Sequence, residues 1–244
     1  MSVKIGSARI DENGKATGGK AGDQTGKEVS TQAWYKHSKG WRVFRANDSA
    51  CAEKIAQDMK YACANSNIGY DQNQRNTLYN VAEKVGFNCS KVTQKCETDC
   101  SALVRVCCAY AGIMLPNFRT ATEPNTLLKS GKFTELKGKK YTDSPDYLLA
   151  GDILVTKTSG HTVIVLNNGS KAKPIKETKG IVIVTGGSVN VRKKPNKEGQ
   201  ILGVAYRGEE FPYIGKTDNN WYEIYYGVEP AYISGRYTEY KPPE

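Results

Sequence analysis

The sequence predicts an α+β domain followed by a small all-β domain. Before Gly112, three stretches repeat apolar residues at the helical spacing of three and four positions. From Gly151 the apolar residues form short, strand-like runs. In the last quarter of the chain these runs recur at regular intervals, as is typical of a small barrel or sandwich. We therefore expect domains at 1–172 and 180–244, joined by the polar linker 173–179.

Three helices are predicted in the first domain, each bounded by residues that favour a helix end. Asp, Asn and Ser side chains accept hydrogen bonds from the free N–H groups at a helix start, and glycine adopts the backbone that ends a helix. Residues 1–30 show no apolar periodicity and are expected to form a loop. The predicted helices run from Asp48 or Ser49 to about Ala64, from the capping-box pair Asp71 and Gln74 to Gly86, and from about Asp99 to Gly112.

Strands are predicted in the rest of the chain. The runs 152–155 and 161–166 are followed by Asn168-Gly169, a dipeptide that favours a two-residue hairpin turn. A reversal there would pair the following polar segment with the strand that begins at His161. The strands predicted for the second domain are 181–184, 189–191, 201–204, 211–214, 221–224 and 231–233.

Charge divides the chain in the same way. The net charge is +10, but residues 179–244 hold nine Lys or Arg against eight Asp or Glu, so nearly all of the excess lies in the first domain. A basic domain attracts an anionic partner, which can be nucleic acid, an acidic membrane or the anionic polymers of a cell wall. No apolar run approaches the roughly 20 residues that span a bilayer, and the N-terminus lacks the pattern of a signal peptide.

Cysteine usage argues against disulfides and zinc. All seven cysteines lie within 51–108, and an odd number without a secretion signal predicts reduced thiols. There is no Cys-x-x-Cys pair and the chain has two histidines, so neither a metal site nor a cofactor is expected. Most of these cysteines are expected to be small buried apolar residues: Cys51, Cys63, Cys107 and Cys108.

Cys100 is the cysteine whose position favours reactivity. It lies in the first turn of the third predicted helix, where the helix dipole favours a thiolate and free N–H groups can bind an oxyanion. His161 follows Gly160 at a strand start, where its ring can face a groove and act as the base. The other histidine, His37, lies in a polar stretch and is expected at the surface. The sequence therefore predicts Cys100 and His161 as a nucleophile–base pair.

The residues around this pair resemble a known family. Segment 98–104, Thr-Asp-Cys-Ser-Ala-Leu-Val, is similar to the nucleophile motif of NlpC-type and CHAP-type papain-like cell-wall hydrolases. Segments 151–154 and 160–165 resemble the Gly-Asp strand and the Gly-His strand of that family, in the same order. The segments 10–14 and 22–29 also resemble the start of endolysins from phages and prophages of Gram-positive hosts.

The resemblance covers most of residues 1–170 and implies a papain-like fold with a cysteine mechanism. In that mechanism Cys100 attacks an amide carbonyl of the wall peptide, and His161 takes the thiol proton and delivers it to the leaving amine. Asp99 and Ser101, which flank the nucleophile, are implied as substrate-binding residues. The bond cut is either the sugar–peptide amide or a peptide bond.

The family also implies a third polar residue that holds the imidazole, and the usual position does not supply one. NlpC-type enzymes place it on the strand after the histidine strand, where this chain has Ala172-Lys173-Pro174. The alternatives are Glu177, through the predicted hairpin, Asn167, on the same face as His161, and Asp23 or Gln24, from the N-terminal loop.

The C-terminal segments 186–192, 221–224 and 231–234 resemble a bacterial SH3-like cell-wall-binding domain, which implies a small SH3-like barrel. Two groups of residues are expected in it. The expected core residues are Val189, Val191 and Ile224. The tyrosines that can line a peptide-binding or glycan-binding groove are Tyr206, Tyr225, Tyr226 and Tyr232.

Together these resemblances imply a peptidoglycan hydrolase of the endolysin type, either an N-acetylmuramoyl-L-alanine amidase or a peptide endopeptidase. Its expected partners are peptidoglycan and anionic wall polymers, with neither nucleic acid nor a membrane. We expect synthesis in the host cytoplasm and action on the wall after release. The alternative is a non-catalytic wall-binding or adhesion protein, because the third residue is missing. A nucleic-acid binder is disfavoured, since no recognised motif accompanies the charge.

Overall fold

The structure is a computed structural model that describes residues 2–173, 178–227 and 229–243. Contacts divide the chain into two compact units, Met1–Pro174 and Ile175–Glu244. Within the described residues the first unit combines helices with a six-stranded antiparallel sheet, and the second is all β. None of the helices described is long and apolar enough to cross a membrane.

The first unit begins and ends with strands of the same sheet. Its strands are β1 (Lys4–Ala8), β2 (Val29–Ala33), β3 (Trp41–Ala46), β4 (Ile68–Tyr70), β5 (Cys96–Thr98), β6 (Phe133–Leu136), β7 (Ile153–Thr156) and β8 (Thr162–Val165). Its helices are α1 (Ser49–Cys63), α2 (Thr77–Glu83), α3 (Cys100–Tyr110), α4 (Glu123–Lys129) and α5 (Lys139–Thr142), with a short 3-10 helix at Cys89–Lys91. The sheet order is β2-β1-β8-β7-β3-β6, and β4 pairs separately with β5 in parallel.

Helix boundaries agree with the sequence where a side chain caps the helix. The Asp48 carboxylate accepts the Cys51 N–H at the start of α1, and Asp99 accepts the Ala102 N–H at the start of α3. The first and third predicted helices are confirmed. The predicted start of the second helix is wrong, because the Asp71 carboxylate instead accepts N–H groups of a local turn and of the N-terminal loop. Helix α2 begins only at Thr77.

Helices α1 and α3 pack together on one face of the six-stranded sheet. Their apolar faces meet the sheet in one continuous core that includes Met59, Leu103, Phe44 and Ile164. All seven cysteines are free thiols. Cys107 and Cys108 are buried as expected, whereas Cys51 and Cys63 are half-buried.

The N-terminal strand β1 pairs with β8, where the sequence predicted the returning strand of a hairpin. Strand β8 is flanked by β7 and β1, so in the described part of the chain no returning strand pairs with it, and the hairpin turn expected at Asn168-Gly169 is wrong. The Asn168 side chain instead accepts the Ala150 N–H. The expectation that residues 1–30 form only a loop is wrong for the same reason. Gly6 lets β1 approach α1, because a β-carbon there would lie 2.6 Å from the Cγ atom of Met59.

The second unit forms a seven-stranded all-β arrangement in the described residues, with the order β11-β10-β14-β13-β12-β9-β15. Its strands are β9 (Ile181–Val184), β10 (Ser188–Arg192), β11 (Ile201–Tyr206), β12 (Glu210–Lys216), β13 (Trp221–Tyr226), β14 (Glu229–Ser234) and β15 (Thr238–Lys241). The first six match the predicted runs, and β15 was not predicted. Val189, Val191 and Ile224 lie in its core, as expected.

Candidate active site

The Cys100 sulfur lies against the start of β8. The pairing of β8 with β1 stops at Ile164, whereas its pairing with β7 continues to Thr162. The N–H groups of Thr162 and Ser101 lie close enough to the Cys100 sulfur to lower its pKa. The fold therefore brings the first residue of α3 to the residue that follows His161.

The Cys100 thiol is neutral in this setting. It is 8% exposed, and burial raises the pKa of the thiol to about 12, with the negative charge of Asp99 and Glu123 acting in the same direction. The N–H groups of Thr162 and Ser101 oppose this increase. The low thiol pKa expected from the helix start is therefore wrong, because burial outweighs the helix dipole. A base must take the proton when the sulfur attacks.

His161 is a neutral imidazole at neutral pH. Burial lowers the pKa of the ring to about 4, and the positive charges of His37 and Arg9 lower it further in smaller measure. The neutral form is the one that can accept a proton. Its backbone is fixed to the end of β7, because the His161 N–H donates to Thr156 Oγ1 over 3.1 Å and its carbonyl accepts the Thr156 N–H over 3.0 Å.

His37 contributes to the surroundings of His161, contrary to the expectation of a solvated surface residue. Its ring packs edge-on against Trp41 at 5.1 Å between centroids, and its Nδ1 accepts the Lys39 N–H over 3.1 Å. The Lys39 ammonium donates to the Ser159 carbonyl over 2.8 Å, in the turn that precedes His161. His37 is therefore one of the groups that lower the pKa of His161, after burial, which is the main cause.

The structure leaves the third member of the site open. The side chain of each described candidate forms hydrogen bonds with backbone groups. Asn167 binds those of Lys4 and Ser2. Asp23 binds those of Thr25, Gly26 and Glu28, and Gln24 binds those of Ala21 and Gly22. Within the described ranges no hydrogen bond joins any of them, or the Cys100 thiol, to the His161 ring. Glu177 lies outside the described residues.

A buried arginine holds the residues that flank the nucleophile. Arg75 donates to both carboxylate oxygens of Asp99, over 2.5 and 3.2 Å, and to Ser101 Oγ over 2.8 Å. Asp99 and Ser101 are themselves buried. Both side chains are therefore bound to the protein, and their contact with substrate stays a prediction. Nothing in the local sequence pattern distinguishes Arg75 from a surface arginine, so sequence reasoning missed it.

A second buried group lies on the other side of the site. The Glu123 carboxyl is fully buried at the start of α4 and accepts the Thr162 hydroxyl over 2.8 Å through Oε1, while its Oε2 has no partner. Burial raises the pKa of Glu123 well above its ordinary value. Nearby, Thr120 Oγ1 accepts the Gly160 N–H over 3.1 Å. These contacts could not be predicted from the sequence, because glutamate is common in the first turn of exposed helices.

The Gly-Asp motif has a structural role. Gly151 has a positive φ of 89°, and a β-carbon there would lie 2.2 Å from the carbonyl oxygen of Ala52 in α1. The buried Asp152 carboxylate accepts two bonds of 2.7 Å from the Arg45 guanidinium and one of 2.8 Å from the Leu149 N–H. These contacts fix the start of β7, and so the strand next to β8.

Glu97 is a buried carboxyl two residues before the helix cap. It is 3% exposed and neither of its oxygens has a hydrogen-bond partner. Burial raises the pKa of Glu97 to about 8, and the charges of Glu28 and Asp71 add to the increase. In the part of the chain that the structure describes, no three Asp, Glu, His or Cys side chains are grouped so that they can hold a metal ion.

The two units match two known families. The model of a family described as an endolysin-like domain matches residues 5–172. The chain belongs to this endolysin-like family. A family described as a bacterial SH3 domain matches residues 187–239. Neither a comparison with curated proteins nor one with solved structures found a match. An endolysin-like domain with an SH3 cell-wall-binding domain indicates a cell-wall hydrolase and confirms the predicted link to peptidoglycan.

The tyrosines of the SH3 domain differ in what they can offer a ligand. Tyr206 is 60% exposed on the edge strand β11, beside other exposed apolar residues of that strand such as Ile201 and Val204. Tyr225 is buried, so its ring is not open to a ligand. Tyr226 is half-buried against Phe211, with ring centroids 6.0 Å apart, and Tyr232 is also half-buried.

Proposed function

We propose that this endolysin-like protein is a papain-like cysteine hydrolase that cuts an amide bond in the peptide part of peptidoglycan. The observation that carries the proposal is the position of the Cys100 thiol at the start of α3, close to the backbone of Thr162, the residue that follows His161 in the chain. This pair can supply a nucleophile and a base from separate elements of a rigid unit. The substrate amide is either the N-acetylmuramoyl-L-alanine bond or a peptide bond.

In the first step, the Cys100 sulfur attacks the amide carbonyl carbon while its proton passes to His161. The carbonyl oxygen becomes an oxyanion, which backbone N–H groups of the first turn of α3 can stabilise. The carbon–nitrogen bond then breaks, and His161 gives its proton to the leaving amine. The products of this half-reaction are the free amine and a Cys100 thioester.

In the second step, water hydrolyses the thioester. His161, again neutral, takes a proton from the water as its oxygen attacks the thioester carbon. The carbon–sulfur bond breaks, the sulfur regains a proton, and a carboxylic acid leaves. In the resting site both side chains are neutral, so the cycle begins and ends with the proton on the sulfur.

The second unit is proposed to hold the enzyme on its substrate. The exposed apolar side chains of β11, with Tyr206, form a surface that a wall peptide or glycan can contact. The positive charge of the first unit attracts the anionic polymers of the wall. We place the action of the protein at the wall after release from the cell that makes it.

A binding-only role is the alternative, favoured by one observation: no described side chain holds the His161 ring by a hydrogen bond. Gram-positive sacculi with purified protein separate the two functions. We expect the wild type to lower the turbidity of the suspension and Cys100→Ala to leave it unchanged. Cys51→Ala, a change of a half-buried cysteine on α1, is the matched control and should act as the wild type does. Turbidity that never falls would favour binding alone.

A further inference from the structure

Two hydrogen bonds bracket His161. On one side, the Gly160 N–H donates to Thr120 Oγ1 over 3.1 Å, and on the other the Thr162 hydroxyl donates to Glu123 Oε1 over 2.8 Å. Both acceptors come from one short segment that leads into α4. The backbone on either side of the base is therefore held from the same place.

Hydrogen bonds through Arg75 also connect the segment before α4 to the start of α3, where Cys100 lies. Arg75, which binds the Asp99 carboxylate at the start of α3, also donates to the Phe118 carbonyl over 2.6 Å and to Asn117 Oδ1 over 2.8 Å. Arg75 and Asp99 are buried, so water does not compete strongly for these bonds. Residues 117–123 thus connect the nucleophile's helix to the base's strand through hydrogen bonds on both sides.

Glu123 contributes one carboxyl oxygen to this pair of hydrogen bonds, as the acceptor of the Thr162 hydroxyl. The carboxyl is fully buried, and no cationic group lies within hydrogen-bond distance of it among the described residues. Burial and the charge of Asp99 raise its pKa well above the ordinary value, and the more distant charge of Arg75 opposes them without reversing the direction. The contact with Thr162 uses one oxygen acceptor, which the amide oxygen of glutamine can also supply.

We propose that Glu123 and Thr120 are positioning residues that set the place of His161 relative to Cys100 by holding the backbone on both sides of the base. This is the task that a third side chain performs on the imidazole itself in other Cys–His sites. The bracket explains how a base with no described partner on its ring keeps its orientation. The catalytic consequence rests on the proposed function, whereas the positioning of the ring does not.

The test compares Glu123→Ala and Glu123→Gln with the wild type, and uses Glu83→Ala and Glu83→Gln, on an exposed site of α2, as matched controls. We expect Glu123→Ala to lower kcat for release of wall fragments about tenfold or more, with KM nearly unchanged, because orientation is lost rather than binding. Glu123→Gln should stay within about threefold of the wild type, since its amide oxygen can accept the Thr162 hydroxyl.

A second readout does not depend on catalysis. The chain has two histidines, so NMR titration of the imidazole signals, assigned with His37→Gln, follows His161 alone. In the wild type the pKa of His161 should lie near 4. In Glu123→Ala the His161 ring should be held less firmly and should become more exposed to solvent, so its pKa should rise toward the ordinary value of 6.5. Glu123→Gln should leave the pKa of His161 low.

Each outcome of these tests supports or overturns the proposed positioning role of Glu123 and Thr120. A folded Glu123→Ala with wild-type kcat and an unchanged His161 titration overturns the proposal. Loss of activity in Glu123→Gln as large as in Glu123→Ala also overturns it, because the carboxyl would then transfer a proton itself. If Glu123→Ala does not fold, Thr120→Ala carries the same two tests at a half-buried site. A wild type that releases no fragments, with a His161 titration that still shifts in the variant, defeats the proposed function and leaves the positioning intact.

Discussion

The two units differ in what they bury. The first encloses ionisable groups around its site, among them the buried residues Arg75, Asp99, Glu97 and Glu123. The core cluster of the second is entirely apolar, and among its described residues the buried polar side chain is that of Thr238. Taking a charged or polar group out of water is unfavourable unless hydrogen bonds or an ion pair offset the loss. The unit that carries Cys100 and His161 is therefore the one in which buried polar groups lower the free energy of unfolding and hold a defined arrangement.

The contrast also separates two kinds of task. In the first unit the interior polar groups hold the segments around Cys100 and His161 in place, and few of these groups are exposed. In the second unit the interior only stabilises the fold, and the residues able to bind a ligand lie on its surface, as Tyr206 does. Changes in the interior should therefore affect function in the first unit and mainly stability in the second.

The largest expected effect concerns the buried pair Arg75–Asp99. Arg75→Met leaves the Asp99 carboxylate buried without its cation and should lower the free energy of unfolding by about 3–5 kcal/mol in urea denaturation. Arg75→Met combined with Asp99→Asn should recover much of this loss, because asparagine is uncharged and still caps α3.

An exposed ion pair is the control for this change. Lys171 and Asp146 lie 2.9 Å apart, with the lysine side chain 59% exposed. Lys171→Met should lower the free energy of unfolding much less than Arg75→Met does, because water and salt screen an exposed pair. Equal losses for Arg75→Met and Lys171→Met would contradict the view that the first unit depends on its buried charges.

A smaller effect is expected for Glu97, as a dependence of stability on pH. The pKa of Glu97 in the folded chain, about 8, lies above its ordinary value of 4.5. The folded chain therefore keeps this proton when the unfolded chain has lost it. Stability from this group is complete below pH 4.5 and is lost as the pH rises toward 8, with a slope of up to about 1.4 kcal/mol per pH unit.

Glu97→Gln should remove that slope, and chemical denaturation between pH 5 and pH 8 measures it. Glu83→Gln, a change of an exposed glutamate, should leave the slope as it is in the wild type. The interpretation of Glu97 as a buried, protonated acid is wrong if its replacement by glutamine leaves the pH dependence unaltered.

The sequence predicted those parts of the fold whose signals are local. The starts of α1 and α3 were found because Asp48 and Asp99 cap helices a few residues away. The pairing of β1 with β8 was missed, since the partners Ile5 and Val165 are separated by almost the whole unit and β1 has little apolar pattern of its own.

The residues of the candidate site also fall into those with a local sequence signal and those without one. Cys100 and His161 were predicted from their neighbours in the chain, and their catalytic roles stay a prediction. Arg75, Thr120 and Glu123 were not, because their roles come from contacts between distant segments. A polar residue buried by such contacts has the same local sequence pattern as one at the surface.

The smallest effect on stability is expected in the second unit, at its exposed tyrosine. Tyr206→Ala should change the free energy of unfolding by less than about 0.5 kcal/mol, yet it should weaken binding to sacculi in a pull-down assay. Ile224→Ala, in the core of the same unit, should instead lower stability by about 2–5 kcal/mol. If Tyr206→Ala binds sacculi as well as the wild type does, β11 is not part of the binding surface.

The central claim is that Cys100 cleaves an amide of the wall, and mass spectrometry of the fragments released from purified peptidoglycan tests it most directly. We predict fragments with a newly formed amine and carboxylate at one defined bond, produced by the wild type and absent with Cys100→Ala. A new amine on L-alanine together with a free lactyl carboxylate would identify an amidase, and ends within the peptide would identify an endopeptidase. The same fragments released by Cys100→Ala, or none released by the wild type, would contradict the account.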